Sequence, residues 1–281
     1  MIANASAGAA LRRPLAVAIT GSKGGVGKSN LAINLAVALK RCGRRVLLVD
    51  GDLGLANVDV LLGLVPSRTV EHLLSGAARL EELLLTGPEG IRILPAASGV
   101  PELTRLASPA RARLVEALAR ASEFSDDVLV DTGAGLGEAT LSLQLAASRV
   151  VVVTTSEPTS LVDAYATLKV LWCADPEKPV DFVVNGVQDQ EEAEGAYRQI
   201  AKAALHFLGR EPGWLGPVFH DPRVAKAVRQ QRALLDLYPT SRAARCYERI
   251  ALALASRVDM AQGGDDYWQR LLHGAASELP Q

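Results

Sequence analysis

Seven short apolar runs punctuate the chain: "LAVAIT" from residue 15, "RVLLVD" from 45, "IRILPA" from 91, "DVLVDT" from 127, "RVVVVTT" from 149, "VDFVVNGV" from 180 and "WLGPVF" from 214. Most are rich in β-branched residues and none alternates strictly with polar ones, which is the pattern of strands buried on both faces. Between them apolar residues recur at helical spacing, for example over 30–42, closed by Gly43, over 109–122 and over 160–172. Strand and helix in alternation predict an α/β fold, a mostly parallel twisted sheet with helices on both faces. Ligands of such sheets lie at the carboxyl ends of the strands. Beyond the last run, residues 221–255 read as two helices parted by Tyr238-Pro239, expected at the edge of the sheet. "DMAQGGDD", 259–266, is a small polar linker before "YWQRLLHGAASELPQ". The pattern divides the chain into a flexible leader over 1–14, one domain over 15–258, and a linker with a short tail helix over 259–281.

Composition narrows the class. A chain of 281 residues has enough apolar sequence for one large domain around a buried sheet. Its 30 basic and 31 acidic residues leave a net charge of -1, so nucleic acid or anionic lipid would have to be met by a local patch. Cys42, Cys173 and Cys246 are far apart and form no CxxC, so neither a metal knuckle nor a disulfide framework is expected, and a reduced, cytoplasmic setting is. No run approaches the roughly 20 apolar residues that cross a bilayer.

The chemistry begins in "GSKGGVGKSN", 21–30, between a strand and a helix. Glycines there allow backbone N–H groups to converge on phosphate, and the following helix N-terminus adds favourable potential. Gly24, Gly25, Val26, Gly27, Lys28, Ser29 and Asn30 are the expected nucleotide-binding stretch, with Lys28 on the β and γ phosphates and the Ser29 hydroxyl on magnesium. Position 22 is serine where the usual motif opens with glycine. Two further strands end in acids: "VLLVDGD" in Asp50 and Asp52, and "DVLVDTGAG" in Asp131. A strand that delivers aspartate next to phosphates is a means of holding magnesium through water, so Asp50, Asp131 and Ser29 are the expected metal-site residues.

"KGGVGKS", with its additional Lys23, resembles the deviant phosphate loop of the MinD/ParA ATPases, and the resemblance runs from about Leu15 to Ala255. It implies ATP and Mg2+ as cofactors and an ATP-dependent homodimer, in which Lys23 reaches the partner's nucleotide. It also implies that Asp52 positions the attacking water, that Asp131 is the switch aspartate, and that hydrolysis is slow and coupled to dimerisation. Lys23, Lys28 and Asp52 are thereby the catalytic expectation. Gly51 stands where the family commonly has alanine. The same resemblance places Asn185 and the loop of His220, Asp221 and Pro222 around adenine. Asn185, before Gly186, suits a plain turn equally well.

"DGDLGLANVDVLLGL", with Leu53-Gly54 after the aspartates, and "LLDLYPTSRAARCYERIA" resemble the flagellar-number branch of this family, FlhG or FleN. That branch implies flagellar partners: an FlhF-like GTPase, switch-complex components and a flagellar transcription regulator. It commonly begins with "DQAxxLR"; here "SAGAALR" retains only Leu11 and Arg12, which leaves either weakened stimulation of the GTPase or a leader without function. A MinD division-site protein, a ParA-like DNA-positioning ATPase and an ATP-dependent metabolic enzyme are the alternatives. Tyr267, Trp268, Leu271 and Leu272 share a face in the tail, with Arg270 and His273 at its edge and Asp265, Asp266 and Glu278 offsetting them. That face suits peripheral membrane contact or an apolar patch of the same protein. Arg223, Lys226, Arg229 and Arg232, followed by Arg242, Arg245 and Arg249, form a basic stripe that reads as a solvated helix face before a DNA-binding one.

Overall fold

A computed structural model of the chain describes residues 15–21, 23–52, 57–68, 72, 73, 75–95, 119, 125–259 and 267–274. The leader with Leu11 and Arg12, Ser22, Leu53-Gly54, all but one residue of the helix expected over 109–122, Asp265, Asp266 and Glu278 lie outside them, as do the side chains of Leu272 and His273.

The strands are β1 (Leu15–Gly21), β2 (Val46–Gly51), β3 (Leu85–Thr86), β4 (Arg92–Leu94), β5 (Asp127–Thr132), β6 (Arg149–Thr154), β7 (Val180–Val187) and β8 (Gly213–Phe219), in the spatial order β3-β4-β2-β5-β1-β6-β7-β8. All neighbours are parallel except the short edge strand β3 against β4. The seven expected strands are present; β3 is an eighth, too short for its pattern to register. From β1 the sheet grows first through β5, β2 and β4, then resumes on the other side with β6, β7 and β8. Connections therefore diverge beside β1, and its carboxyl end opens a crevice.

The α-helices whose bounds are described are α1 (Lys28–Arg41), α2 (Val58–Leu62), α3 (Leu80–Leu83), α4 (Glu138–Ala146), α5 (Pro158–Ala174), α6 (Gln190–Leu208), α7 (Pro222–Arg229), α8 (Leu234–Leu237), α9 (Arg242–Asp259) and α10 (Tyr267–Gly274), beside a short 3-10 helix at Pro88–Gly90. Alternate strand residues face opposite sides. Ala16, Ala18, Val150, Val152 and Phe182 pack with α4, α5 and α6, whereas Val17, Ile19, Val151, Val153 and Val183 pack with α1, α8 and α9. Both faces are thus covered, as the unbroken apolar runs require.

One element differs from expectation. Residues 221–255 form three helices, because the chain also breaks after α7. There Gln230 N–H and Arg232 N–H turn back to the Ala227 carbonyl, and Gln231 adopts a positive φ of 53°. The break before Pro239 is where it was expected, and α9 lies along α1 and the edge strand β8. The tail helix α10 docks on the protein itself. Tyr267, Trp268 and Leu271 are buried in the same core as Leu141 and Ala146 of α4, and Arg270 donates to the Ser148 hydroxyl at 2.8 Å.

Candidate functional site

Strand β1 ends at Gly21 and its loop delivers the chain into α1. Gly25 and Gly27 have φ of 81° and 91°, a left-handed conformation that costs a side-chain-bearing residue about 1–2 kcal/mol. Gly27 has a second constraint, since a Cβ there would fall 2.4 Å from Asn185 Nδ2. Asn185 donates that nitrogen to the Val26 carbonyl at 2.7 Å and so ties β7 to the phosphate loop. Val26 is buried while Gly24 and Gly25 are exposed. Among the described residues no side chain caps the N-terminus of α1, and no acid occupies its first turn. Its orphan N–H groups are the positive end of a helix dipole facing the crevice.

Three aspartates and Lys28 converge beside this loop. In the β2–β5 ladder Asp50 lies directly opposite Asp131, and Ile19 of β1 flanks Asp131 on the other side. Lys28 is buried; its ammonium donates to Asp52 Oδ2 at 3.0 Å and to the Ser29 hydroxyl at 3.5 Å, and stands 3.8 Å from Asp131 Oδ1. Asp131 is fully buried, and neither of its oxygens has a well-formed hydrogen-bond partner among the described residues. Burial pushes its carboxyl up to about 7, against the Lys28 charge and the Ser29 hydroxyl that favour ionisation. Asp50 is differently placed. Its Oδ1 accepts from Asp52 N–H at 3.1 Å and its Oδ2 from Asn57 and Val58 N–H at 3.0 and 3.1 Å, so it starts α2 and fixes the backbone of Asp52. Burial raises the Asp50 carboxyl and these donors oppose the rise.

Gly51 fits the same crowding. A Cβ would meet Leu143 of α4 at 3.0 Å and the Asp131 carbonyl at 3.1 Å, which explains glycine at this position.

Lys23 is held within its own chain, on Glu157 at 2.5 Å and within 3.5 Å of the Thr159 hydroxyl, at the start of α5. Glu157 was not expected from the sequence; a glutamate before Pro158 reads only as a helix start. His220 is exposed, and its N–H donates to the Val187 carbonyl, two residues beyond Asn185. Asp221 caps α7 through Arg223 N–H at 2.9 Å, with Pro222 in the first turn. Burial acts to raise the Asp221 carboxyl, but the backbone donors outweigh it and hold it below the usual range. The loop of His220, Asp221 and Pro222 thus adjoins the strand end that carries Asn185.

A magnesium-bound nucleotide fits these residues. The buried Asp131, beside an ammonium but without a well-formed hydrogen bond among the described residues, the uncapped α1 and the glycine cradle are what such a ligand satisfies. Among the described residues no three His, Cys, Asp or Glu side chains converge to cage a metal ion unaided. Magnesium commonly takes one or two protein ligands and completes its shell with phosphate and water.

Residues 17–235 match the CobQ/CobB/MinD/ParA nucleotide-binding domain. The antiactivator FleN of Pseudomonas aeruginosa is 41% identical over 235 residues, 84% of each chain. The flagellum site-determining protein YlxH of Helicobacter pylori is 32% identical, over 91% of this chain and 89% of its own. Among solved structures, the septum site-determining protein MinD of Pyrococcus horikoshii, complexed with Mg-ADP, superposes with a TM-score of 0.67 at 26% identity, covering 88% of this chain and 99% of that one. By the site, the fold and these likenesses together, the chain belongs to the CobQ/CobB/MinD/ParA nucleotide-binding family, in its MinD/ParA ATPase group.

Proposed function

We propose that the protein is an ATP-dependent, dimerising switch ATPase that regulates the number or placement of flagella. The observation that carries the ATPase part is the meeting of Lys28, Asp52 and the buried Asp131, whose oxygens have no well-formed hydrogen bond among the described residues, at the mouth of the glycine loop. The flagellar part is supported by the likeness to FleN and YlxH.

Bound magnesium–ATP would supply the γ-phosphoryl group and a divalent charge to offset its negative oxygens. The loop from Gly24 to Gly27 and the first turn of α1 orient phosphate through backbone N–H groups. Lys28 is pre-placed by Asp52 at 3.0 Å and would carry its charge onto the phosphate. Asp52 then orients a water for in-line attack. Ser29, by its hydroxyl, and Asp131 would hold the magnesium side of the nucleotide. Asp50, whose oxygens are engaged by backbone donors, serves the site by holding Asp52 in place. Asn185, its NH2 committed to Val26, presents its oxygen toward the base, with His220, Asp221 and Pro222 alongside.

In the dimer Lys23 leaves Glu157 for the partner's phosphate. The Glu157 carboxylate is well exposed, so this ion pair is screened and easily exchanged. Membrane contact by the tail requires α10 to leave α4, since Tyr267, Trp268 and Leu271 cannot serve both surfaces. Partners would be an FlhF-like GTPase, switch-complex components or a flagellar transcription regulator. We assign residues 15–258 to the ATPase domain, 1–14 to a leader, and 259–281 to the linker and tail.

A ParA-like reading has one observation in its favour: Lys226, Arg229, Arg245 and Arg249 are exposed, and none forms a side-chain ion pair among the described residues. Salt-dependent binding of duplex DNA in ATP, lost on Arg229→Ala with Arg245→Ala, would establish it. The flagellar reading is tested by deleting the gene and counting flagella per cell. Unchanged number and position would refute it.

A further inference from the structure

Between α1, α8 and α9 lies a polar cluster in which Asn34 and Tyr247, unused by the chemistry above, meet Asn30 of the phosphate loop's helix. Asn34 is fully buried and Tyr247 nearly so. The Leu235 N–H donates to Asn34 Oδ1 at 3.1 Å. A backbone N–H can only donate, so this bond fixes the Asn34 amide with its oxygen toward α8 and its nitrogen toward the start of α1. Asn34 Nδ2 accordingly donates to the Asn30 carbonyl at 2.8 Å and to Asn30 Oδ1 at 2.9 Å. From α9, the Tyr247 hydroxyl donates to the same Oδ1 at 3.2 Å. Burial pushes the Tyr247 phenol well above its ordinary range, so it stays a neutral donor.

Asn30 Oδ1 therefore receives two donors. A flipped Asn30 amide would set its NH2 against the NH2 of Asn34, donor facing donor, so the orientation has one satisfied solution. The Asn30 NH2 is turned out of the cluster and has no hydrogen-bond partner among the described residues. It stands in the first turn of α1, two residues after Lys28.

We infer that Tyr247 and Asn34 are positioning residues, which lock the Asn30 amide so that its NH2 is presented as a donor to a phosphate oxygen of the nucleotide. This rests on the nucleotide-site reading and adds a buried relay from α9 and α8 to the phosphate loop. Tyr247 acts only through Asn30.

The test is a fluorescence-anisotropy titration of the full chain with a fluorescent ADP analogue and magnesium. It compares wild type, Tyr247→Phe, Asn30→Ala, the double variant and Asn30→Asp, with melting temperatures measured in parallel. Tyr247→Phe keeps the ring and should weaken binding about 3–10-fold, the scale of one hydrogen bond. Asn30→Ala should weaken it at least as much, and the double variant no further than Asn30→Ala alone. Asn30→Asp, which turns a carboxylate oxygen toward phosphate, should bind more weakly than Asn30→Ala. Unchanged binding by Tyr247→Phe, a full additional loss in the double variant, or Asn30→Asp binding as well as Asn30→Ala would each overturn the inference. Failure of wild type to bind any nucleotide would instead overturn the site reading, and the inference with it.

Discussion

A carboxyl shut away from water without a good hydrogen bond keeps its proton to higher pH, and Asp131 is such a group, with its value raised from 3.8 to about 7. Between those values the folded chain binds more protons here than the unfolded one, so stability falls as pH rises through that window. Asp50 shifts in the same direction. The ligand-free protein should therefore melt progressively lower from about pH 5 to pH 8. Asp131→Asn should flatten most of that slope, melt higher than wild type at pH 8, and lose the stabilisation that magnesium and nucleotide confer. Calorimetry across pH, with and without ligand, checks all three; a slope unchanged in Asp131→Asn would refute the assignment. Lys28 is the counterpart. Its removal takes a buried donor from the site and should weaken nucleotide binding by at least about 30-fold, on the scale of breaking a buried charge pair, as measured by isothermal titration. The sequence made these residues legible because each closes a strand or opens a helix. It did not separate Asp50 from Asp131: only the ladder and the α2 cap show that one carboxylate accepts backbone N–H groups on both oxygens while the other has no well-formed hydrogen bond among the described residues.

At the scale of elements, α4 joins the acids at the strand ends to the tail. Its Leu143 abuts Gly51, its Gln144 donates to the Thr20 hydroxyl at 2.8 Å just before the phosphate loop, and Leu141 and Ala146 share a core with α10. Gly51→Ala should cost about 1–3 kcal/mol by overpacking against Leu143 and the Asp131 carbonyl, read as a shift in denaturant midpoint without a change in slope. The α10 contact is largely apolar, but among the described residues the Tyr267 hydroxyl and Arg270 Nε are buried without hydrogen bonds, which weakens it. Trp268→Ala should release α10, so amide exchange over 267–274 accelerates while β1, β5 and β6 stay protected. Equal acceleration throughout would mean that α10 is integral to the core. Strands buried on both faces were legible as continuous apolar runs. The two-residue β3 and the break at Gln231 were not, since their causes are pairing with β4 and local backbone bonds. For the tail, periodicity identifies an apolar face and is silent about what covers it.

At the scale of the molecule, the fold brings three strand ends and one helix N-terminus into one crevice beside β1, and both cores exist to hold that geometry. The architecture was legible from strand–helix alternation, because right-handed crossovers leave few other solutions. What a single chain does not display is the partner that Lys23 would serve. In isolation the lysine rests on Glu157. The central claim, a switch thrown by nucleotide, is tested most directly by light scattering coupled to size-exclusion chromatography on wild type, Lys23→Ala and Asp52→Ala, each with ADP and with ATP plus magnesium. The account predicts a dimer only with ATP, one that persists in Asp52→Ala and weakens in Lys23→Ala. A monomer under every condition, or a dimer indifferent to nucleotide, would contradict it.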